Sequence, residues 1–313
     1  MDKSKIRNNL RAMLQLMLLS TGRRLLLSVV IGFVSSVCFS QTITIKKTIV
    51  SANDHQPIKL ASIAIRNTSN GTYTDLSGSF TINCLQSDSL AISAIGYKKA
   101  IYSCLYMTDS IFLEEDAIQL PEVMVSSKEQ KTHAINLGLY REKRSGAYAG
   151  VNAAALYIAN SEQRHGNISK VYFMLSKVKW IYDQKPQFHK LLVRLKLYEH
   201  TNHNGPGKEI LAHNVVQEVP EKRAEITFDI DSLNIPLPPD GIFIALEFLG
   251  YYSDDHFNPF SSNDQNKYIQ YKASFTNRSL TSASWIRQDY ENDWQPFLTG
   301  SMVYNFNFGL EIK

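Results

Sequence analysis

The chain has 313 residues, 33 basic and 29 acidic, for a formal charge of +4. That excess resides at the start: residues 1–40 hold Lys3, Lys5, Arg7, Arg11, Arg23 and Arg24 against Asp2, leaving 27 basic and 28 acidic residues in the remainder. A near-neutral body lacks the basic surface that counterion release from nucleic acid requires, so a nucleic-acid partner is excluded.

Arg23-Arg24 precedes "LLLSVVIGFVSSVCF", 15 residues without charge, and then Ser40 and Gln41. A basic flank, a short apolar run and small residues before a polar start form a secretory signal. The run is shorter than the roughly 20 apolar residues of a spanning helix. Cleavage is expected after Ser40, and an uncleaved anchor is the alternative. Cys38 follows Ser35-Ser36-Val37, which lacks the small residue that lipidation requires directly before the cysteine. Met13 and Met17 are alternative starts within this long leader. The body keeps Cys84 and Cys104. An oxidising compartment permits a bridge between them; two small buried hydrophobes are the other reading.

From residue 41 onward, alternation replaces helical period. In "LASIAIRNT", Ala61, Ile63 and Ile65 share one face; in "SFTINC", Phe80, Ile82 and Cys84 do. Short period-two runs bounded by Gly, Asn, Asp and Ser are half-buried strands. Their recurrence about every ten residues predicts stacked antiparallel sheets. Residues 71–82, "GTYTDLSGSFTI", read as a strand, a turn at Asp75-Leu76-Ser77-Gly78 and a returning strand, hence a hairpin. Asp caps local amides in such a turn and Gly supplies the left-handed position. "LAISAIGY" is a further strand, ending at a Gly where the chain bends.

Pro57-Ile58 ahead of "ASIAI", then "GTYTDLSGSF" and "ISAIGYK", make residues 43–115 similar to the carboxypeptidase-regulatory-like domain. The resemblance implies a seven-stranded transthyretin/Ig-like sandwich of exported bacterial proteins, with no peptidase activity of its own. It also implies a Gram-negative location, in the periplasm or at the outer membrane and cell surface, because such modules precede the barrels of TonB-dependent receptors. Residues 116–131 are expected to be a linker that contains "EVMVSS", similar to the start of a receptor plug. Only 182 residues follow Lys131, too few for a plug plus some twenty membrane strands of about ten residues each, so a complete receptor is not expected.

Residues 132–313 form a second β unit. Its candidate strands are "AALYIAN", "SKVYFMLSKV", "KLLVRLKLYEH", "AEITFDI", "GIFIALEFLGYY", "KYIQYKASF" and "MVYNFNFGLEI"; "NHNGPGKE", "PLPPDG" and "DDHFNPFSSNDQN" read as turns. "IFIALEFL" is apolar on both faces, which predicts burial between layers. The fold class is therefore all-β, a small sandwich followed by a larger jelly-roll-like one. The pattern is similar to β-sandwich modules that accompany carbohydrate-active proteins.

Catalytic motifs are missing. No His has Glu three residues on, and no His-Glu-x-x-His occurs. His200 and His203 have a metal-capable spacing but sit in a Gly/Asn loop. No Gly-x-Ser-x-Gly elbow and no phosphate-binding loop are present. Glu199, Glu247 and Asp255 are the carboxylates a glycan hydrolase would draw on, and they read as solvated strand-end residues. Asp254, Asp255 and Asp264 with Asn258 and Asn263 offer oxygen ligands but no EF-hand spacing, so no metal or other cofactor is expected. "DSL" at 88–90, "DSI" at 109–111 and "DSL" at 231–233 match the short pattern used for bacterial O-glycosylation.

Aromatic residues carry the ligand-binding expectation. Trp180, Tyr182, Tyr251, Trp285 and Trp294 lie near strand ends or acidic loops. Exposed Trp and Tyr faces are platforms for sugar rings; their alternative use is to fill sandwich cores. The expectation is a non-enzymatic cell-envelope protein that binds a glycan or an envelope protein, with the membrane met only through the export signal or anchor. A glycan hydrolase and a purely structural component are the alternatives.

Overall fold

The computed structural model describes residues 42–106, 108–116, 134–148, 152–177, 190–201, 205–219, 225–253, 256–260, 271–277, 283–288, 290, 293–297 and 303–313. The leader, linker residues 117–131, Trp180, Tyr182, His203, Asp254, Asp255, Asn263 and Asp264 lie outside the described residues. Residues Ile43–Lys313 form one compact unit. Among the described residues there is no α-helix, and no helix long and apolar enough to cross a membrane.

The first seven strands are β1 Thr42–Ser51, β2 Ser62–Ile65, β3 Gly71–Tyr73, β4 Ser79–Leu85, β5 Ser89–Ser93, β6 Ala100–Ser103 and β7 Ser110–Leu113. They make two sheets, β4-β1-β7 and β3-β2-β5-β6, with β1 and β7 parallel. Ile49, Ile63, Phe80, Leu90, Ile92, Ile111 and Leu113 fill the space between them. This is the seven-stranded sandwich that the resemblance implied. Cys84 and Cys104 are joined as a disulfide inside this core, which decides between the two readings of the pair.

The expected hairpin at residues 71–82 is overturned. β3 pairs with β2 (Ser62 opposite Tyr73), whereas β4 joins β1 in the other sheet. The turn is a corner between layers. Its local chemistry is as read: Asp75 Oδ1 accepts from the Ser77 and Ser79 amides, and Gly78 takes φ +75°. The corner is pinned to β1, because Ile49 donates to the Gly78 carbonyl. Alternation fixed which residues face inward; it held no information on which sheet a strand joins.

Among the described residues, sixteen further strands follow: β8 Ile135–Gly138, β9 Gly146–Tyr148, β10 Ala153–Ile158, β11 Asn167–Lys177, β12 Lys190–Thr201, β13 Gly205–Glu209, β14 Val215–Val219, β15 Glu225–Asp229, β16 Ile235–Pro236, β17 Ile242–Ser253, β18 His256–Pro259, β19 Tyr271–Thr276, β20 Ser284–Arg287, β21 Gln295–Pro296, β22 Asn305–Phe306 and β23 Phe308–Ile312. One sheet runs β13-β12-β17-β10-β20-β21, with β14 on β12 and β18 on β17. The other runs β22-β19-β11-β23-β8, with β15 and β16 on β11 and β9 on β19. Val193, Leu195 and Leu197 of β12 and Ile242, Ile244 and Leu246 of β17 meet Phe173, Phe228 and Phe308 of the facing sheet. Ring contacts of 4.7 Å (Phe173–Phe308) and 5.8 Å (Phe173–Phe228) lock that core.

Two segments read as turns contain strands. "GPGKE" is β13, paired to β12 (Thr201 opposite Gly205), and "HFNP" is β18, paired to β17. Both sit off the sheet's centre, where pairing uses backbone groups and tolerates Gly and Pro.

Candidate ligand-binding face

The outward side of the β12-β17-β10-β20 sheet holds the candidate site. Register places its side chains in rows across the strands. One row is Arg194, Glu247, Ala153 and Arg287. The next is Lys196, Ala245, Ala155 and Trp285. The third is Tyr198, Phe243 and Tyr157. Directly opposed residues interact across a sheet, and alanines at the middle of the first two rows leave room for long side chains to meet over them.

Glu247 is the centre of the first row and is 1% exposed. Its Oε2 accepts from Arg194 Nε at 2.7 Å. Its Oε1 accepts from Arg287 Nη2 at 2.7 Å and from the Tyr73 hydroxyl at 2.8 Å. Asn152 Nδ2 donates to the same hydroxyl at 2.8 Å, and Arg194 Nη1 donates to the Leu60 carbonyl at 3.0 Å. Tyr73 and Leu60 belong to the first sandwich, so the cluster is where the two sandwiches are joined. Leu60, Ala64 and Tyr73 pack there with Leu192, Leu249 and Tyr290. That third layer is why β17 is apolar on both faces.

Burial by itself would push the Glu247 carboxyl up, but the fields of Arg194, Lys196 and Arg287 outweigh it and hold the group well below the ordinary carboxylate range. Burial raises the Tyr73 phenol, and the Glu247 charge raises it further. Glu247 is thus a permanent anion with its oxygens engaged. It does not fit a proton-donating carboxyl, which a glycoside hydrolase needs. Glu199 is exposed and alternates away from this face, and His200 stacks on Tyr157 at 4.4 Å.

Gly71 is required by this junction. A Cβ there would run into the Tyr290 ring and lie 2.6 Å from the Ile63 carbonyl oxygen. Gly71→Ala is expected to lower stability by about 1–3 kcal/mol, the usual cost of overpacking, read as a fall in thermal midpoint.

Beside the ion cluster lies a cavity of about 90 Å³ lined by Ser62, Ser93, Ala94 and Ile95 of the first sandwich and by Arg194, Lys196, Glu209, Glu247, Arg287 and Tyr290 of the second. Lys196 Nζ is 2.8 Å from Glu209 Oε2 and 3.9 Å from Glu247 Oε2, so it bridges the two carboxylates. Burial lowers the Lys196 ammonium pKa despite those anions.

The aromatic row abuts the cavity. Arg287 lies 5.3 Å over the Trp294 ring and Lys196 6.0 Å from the Tyr198 ring centre. Trp294 meets Tyr198 edge-on at 5.7 Å, and Trp285 meets Phe243 at 6.5 Å. Both tryptophans are half-buried. Of the five aromatics singled out from the sequence, Trp285 and Trp294 come together. Tyr251 lies at the other end of β17, beyond Glu247 and away from Phe243. Glu209, Arg194, Lys196, Arg287 and Tyr290 were not among the sequence candidates. Among the described residues no group of three or more His, Cys, Asp or Glu could hold a metal. Of the three Asp-Ser-aliphatic tripeptides, Asp231-Ser232-Leu233 is an exposed 3-10 turn, while Ser89 and Ser110 begin strands.

The family model of the CarboxypepD_reg-like domain matches residues 45–125. The TonB-dependent receptor SusC of Bacteroides thetaiotaomicron is 32% identical over 103 residues, which cover 33% of this chain and 10% of that protein. The chain thus matches about a tenth of the length of this curated relative. Sequence match and the seven-stranded sandwich agree: residues 45–125 are a CarboxypepD_reg-like domain.

Proposed function

We propose that this is an exported, non-enzymatic protein of a Gram-negative cell envelope, and that the outer face of its second sandwich binds a glycan. The CarboxypepD_reg-like domain is the rigid docking piece that closes one side of that face. The observation that carries the reading is the juxtaposition of the half-buried Trp285 and Trp294 on one face, with the Arg287 guanidinium over the Trp294 ring. Aromatic faces accommodate the apolar side of a sugar ring, and polar groups at their edge accommodate its hydroxyls. The secretory pattern at Arg23–Ser40 and the likeness to a TonB-dependent receptor support the location. Residues 116–131, of which the family match includes 116–125, serve as the linker between the sandwiches in this reading.

Two of the chain's three tryptophans lie on this face, so intrinsic emission reports directly on it. Titration with soluble glycans is expected to shift that emission saturably, and Trp294→Ala is expected to weaken binding by about tenfold, the worth of roughly 1.4 kcal/mol of ring contact. No saturable change with any glycan in an array, together with no retention of the protein on those glycans, refutes the reading. N-terminal sequencing of the envelope fraction checks export: the chain is expected to begin at Gln41.

A further inference from the structure

The fold treats the three Asp-Ser-aliphatic tripeptides differently. In Asp88-Ser89-Leu90 the aliphatic residue is core: Leu90 is 0% exposed, in one cluster with Ile63, Phe80 and Ile92. Its acid holds the local turn, where Asp88 Oδ2 accepts from the Leu85 amide at 2.9 Å. In Asp109-Ser110-Ile111 the aliphatic residue is again core, with Ile111 1% exposed, and Asp109 Oδ1 lies 2.9 Å from Lys47 Nζ. Both serines are held in strands, Ser89 opposite Ser103 and Ser110 opposite Thr48. Strand formation and core packing account for both segments.

Asp231-Ser232-Leu233 is different. All three residues are exposed, Leu233 at 41%. They form a 3-10 turn between β15 and β16 in which no residue is buried. The turn closes through its backbone. The Leu233 amide donates to the Ile230 carbonyl at 2.9 Å, and the amide of Asn234, at φ 50°, donates to the Asp231 carbonyl at 3.2 Å. The Asp231 amide donates to Asp229 Oδ1 at 3.3 Å. The Asp231 carboxylate meets Lys313 Nζ at 3.0 Å on the surface, a pair of small worth. Among the described residues no hydrogen bond engages the Ser232 hydroxyl, whereas the Ser232 carbonyl accepts from Asn234 Nδ2 at 3.4 Å. The Ser232 and Leu233 side chains are therefore not used by the fold.

A transferase that modifies a folded chain needs a hydroxyl it can reach and the flanking side chains presented with it. Attached sugars are bulky and belong on the surface, and exposed loop tips tolerate such additions. A turn with an unused hydroxyl between a carboxylate and an exposed aliphatic chain meets those conditions. A paired strand does not, because drawing its serine into an active site breaks the ladder. The turn also belongs to a different sheet from the candidate binding face: β15 and β16 pair with β11, whereas Trp285 stands on β20.

We propose that Ser232 is an O-glycosylation site of the exported protein, with Asp231 and Leu233 as the flanking residues that the transferase reads. The donor is a glycosyl phosphate. The bond between Ser232 Oγ and the anomeric carbon forms, and the bond from that carbon to the phosphate oxygen breaks. Its electron pair leaves with the phosphate, and the hydroxyl proton passes to a base of the transferase. The proposal rests on the export reading above and is independent of glycan binding.

The test takes the protein from the envelope fraction of the bacterium that encodes it and reads its N-terminus, intact mass and fragment masses. A chain that begins at Gln41 is expected, heavier than the bare polypeptide by whole sugar residues that fragmentation places on Ser232. Ser232→Ala is expected to abolish the addition. Asp231→Asn and Leu233→Ala are expected to abolish it with the serine still present. All three variants should keep the native thermal midpoint, as exposed positions do. The paired change of Ser89 and Ser110 to alanine is expected to retain the sugar. A processed chain of bare mass, a phosphate in place of sugar on Ser232, or sugar on Ser89 or Ser110 with Ser232 bare overturns the site and leaves export standing. Sugar on Ser232 that survives both flanking changes overturns their assigned role. A chain of bare mass confined to the cytoplasm overturns both the site and export.

Discussion

Glu247→Ala will lower folding stability by about 3–5 kcal/mol, the usual result of removing one partner from a buried ion cluster. The reason is what stays behind. Arg194 is 2% exposed and would keep only neutral acceptors, the Leu60 carbonyl and Asn214 Oδ1. Arg287 would lose its carboxylate, and the Tyr73 hydroxyl would lose its acceptor. For a unit of this size, each kcal/mol moves the thermal midpoint by about 2–4 °C, so a drop of about 10 °C is expected. Because the cluster joins the two sandwiches, they should still melt together in the native protein and separate into two transitions in Glu247→Ala. The acid limb gives an independent check. The Glu247 pKa is depressed by folding, so its stabilisation is present above the unfolded carboxyl's pKa of 4.5 and is lost as pH falls below it toward the folded value. Glu247→Gln should flatten that part of the stability-versus-pH curve. An unchanged midpoint together with an unchanged acid limb would show that the cluster is not closed as described.

Much of this architecture was legible from alternation. "LASIAI", "SFTINC" and "KLLVRLKLYEH" carried their inward faces in plain view, and "IFIALEFL" announced a strand covered on both sides. The cover itself was not legible. In β12, Arg194 and Lys196 alternate with Val193, Leu195 and Leu197, which is how a half-solvated strand also reads. Alternation reports that two faces differ, and cannot say whether the polar one meets water or another layer. Glu247, read from the sequence as a solvated strand-end residue, is instead buried in the middle of β17; a lone acid inside an apolar strand is the signal that pointed there, since such a charge must find partners when buried. Glu209 was hidden because Gly205-Pro206-Gly207 reads as a turn, whereas an edge strand needs only its backbone. Trp285 and Trp294 were legible as aromatics. That Trp285 stands opposite Ala155, in the row next to Glu247, follows from register, which no local pattern encodes. The corner at Asp75–Gly78 illustrates the same limit: its turn chemistry was right and its two strands belong to different sheets.

The second large effect concerns Cys84 and Cys104. Their bridge closes a loop across a separation of 20 residues, and a loop of that size restricts the unfolded chain by about 3 kcal/mol. The small sandwich has reason to depend on it. Its core is modest, and both cysteines lie within it beside Phe80, Ile82 and Leu90. Cys84 sits on β4 in one sheet, and Cys104 follows β6 in the other. The bond therefore ties together the two layers of a small domain, whose size limits the core that burial alone can supply. Reduction, or the paired change of both cysteines to serine, should lower the midpoint by about 6–12 °C, and serine should cost somewhat more because it adds two buried hydroxyls. The paired change to alanine separates the contributions, since it removes the cross-link without adding polar groups. The same bond bears on the compartment. A chain kept in a reducing cytoplasm would carry two thiols in that core, and alkylation after unfolding would add mass at both. Protein taken from the envelope should resist alkylation until a reductant is added. Free thiols in that fraction, with a midpoint indifferent to reductant, would remove both the bridge and the inference of an oxidising location drawn from it.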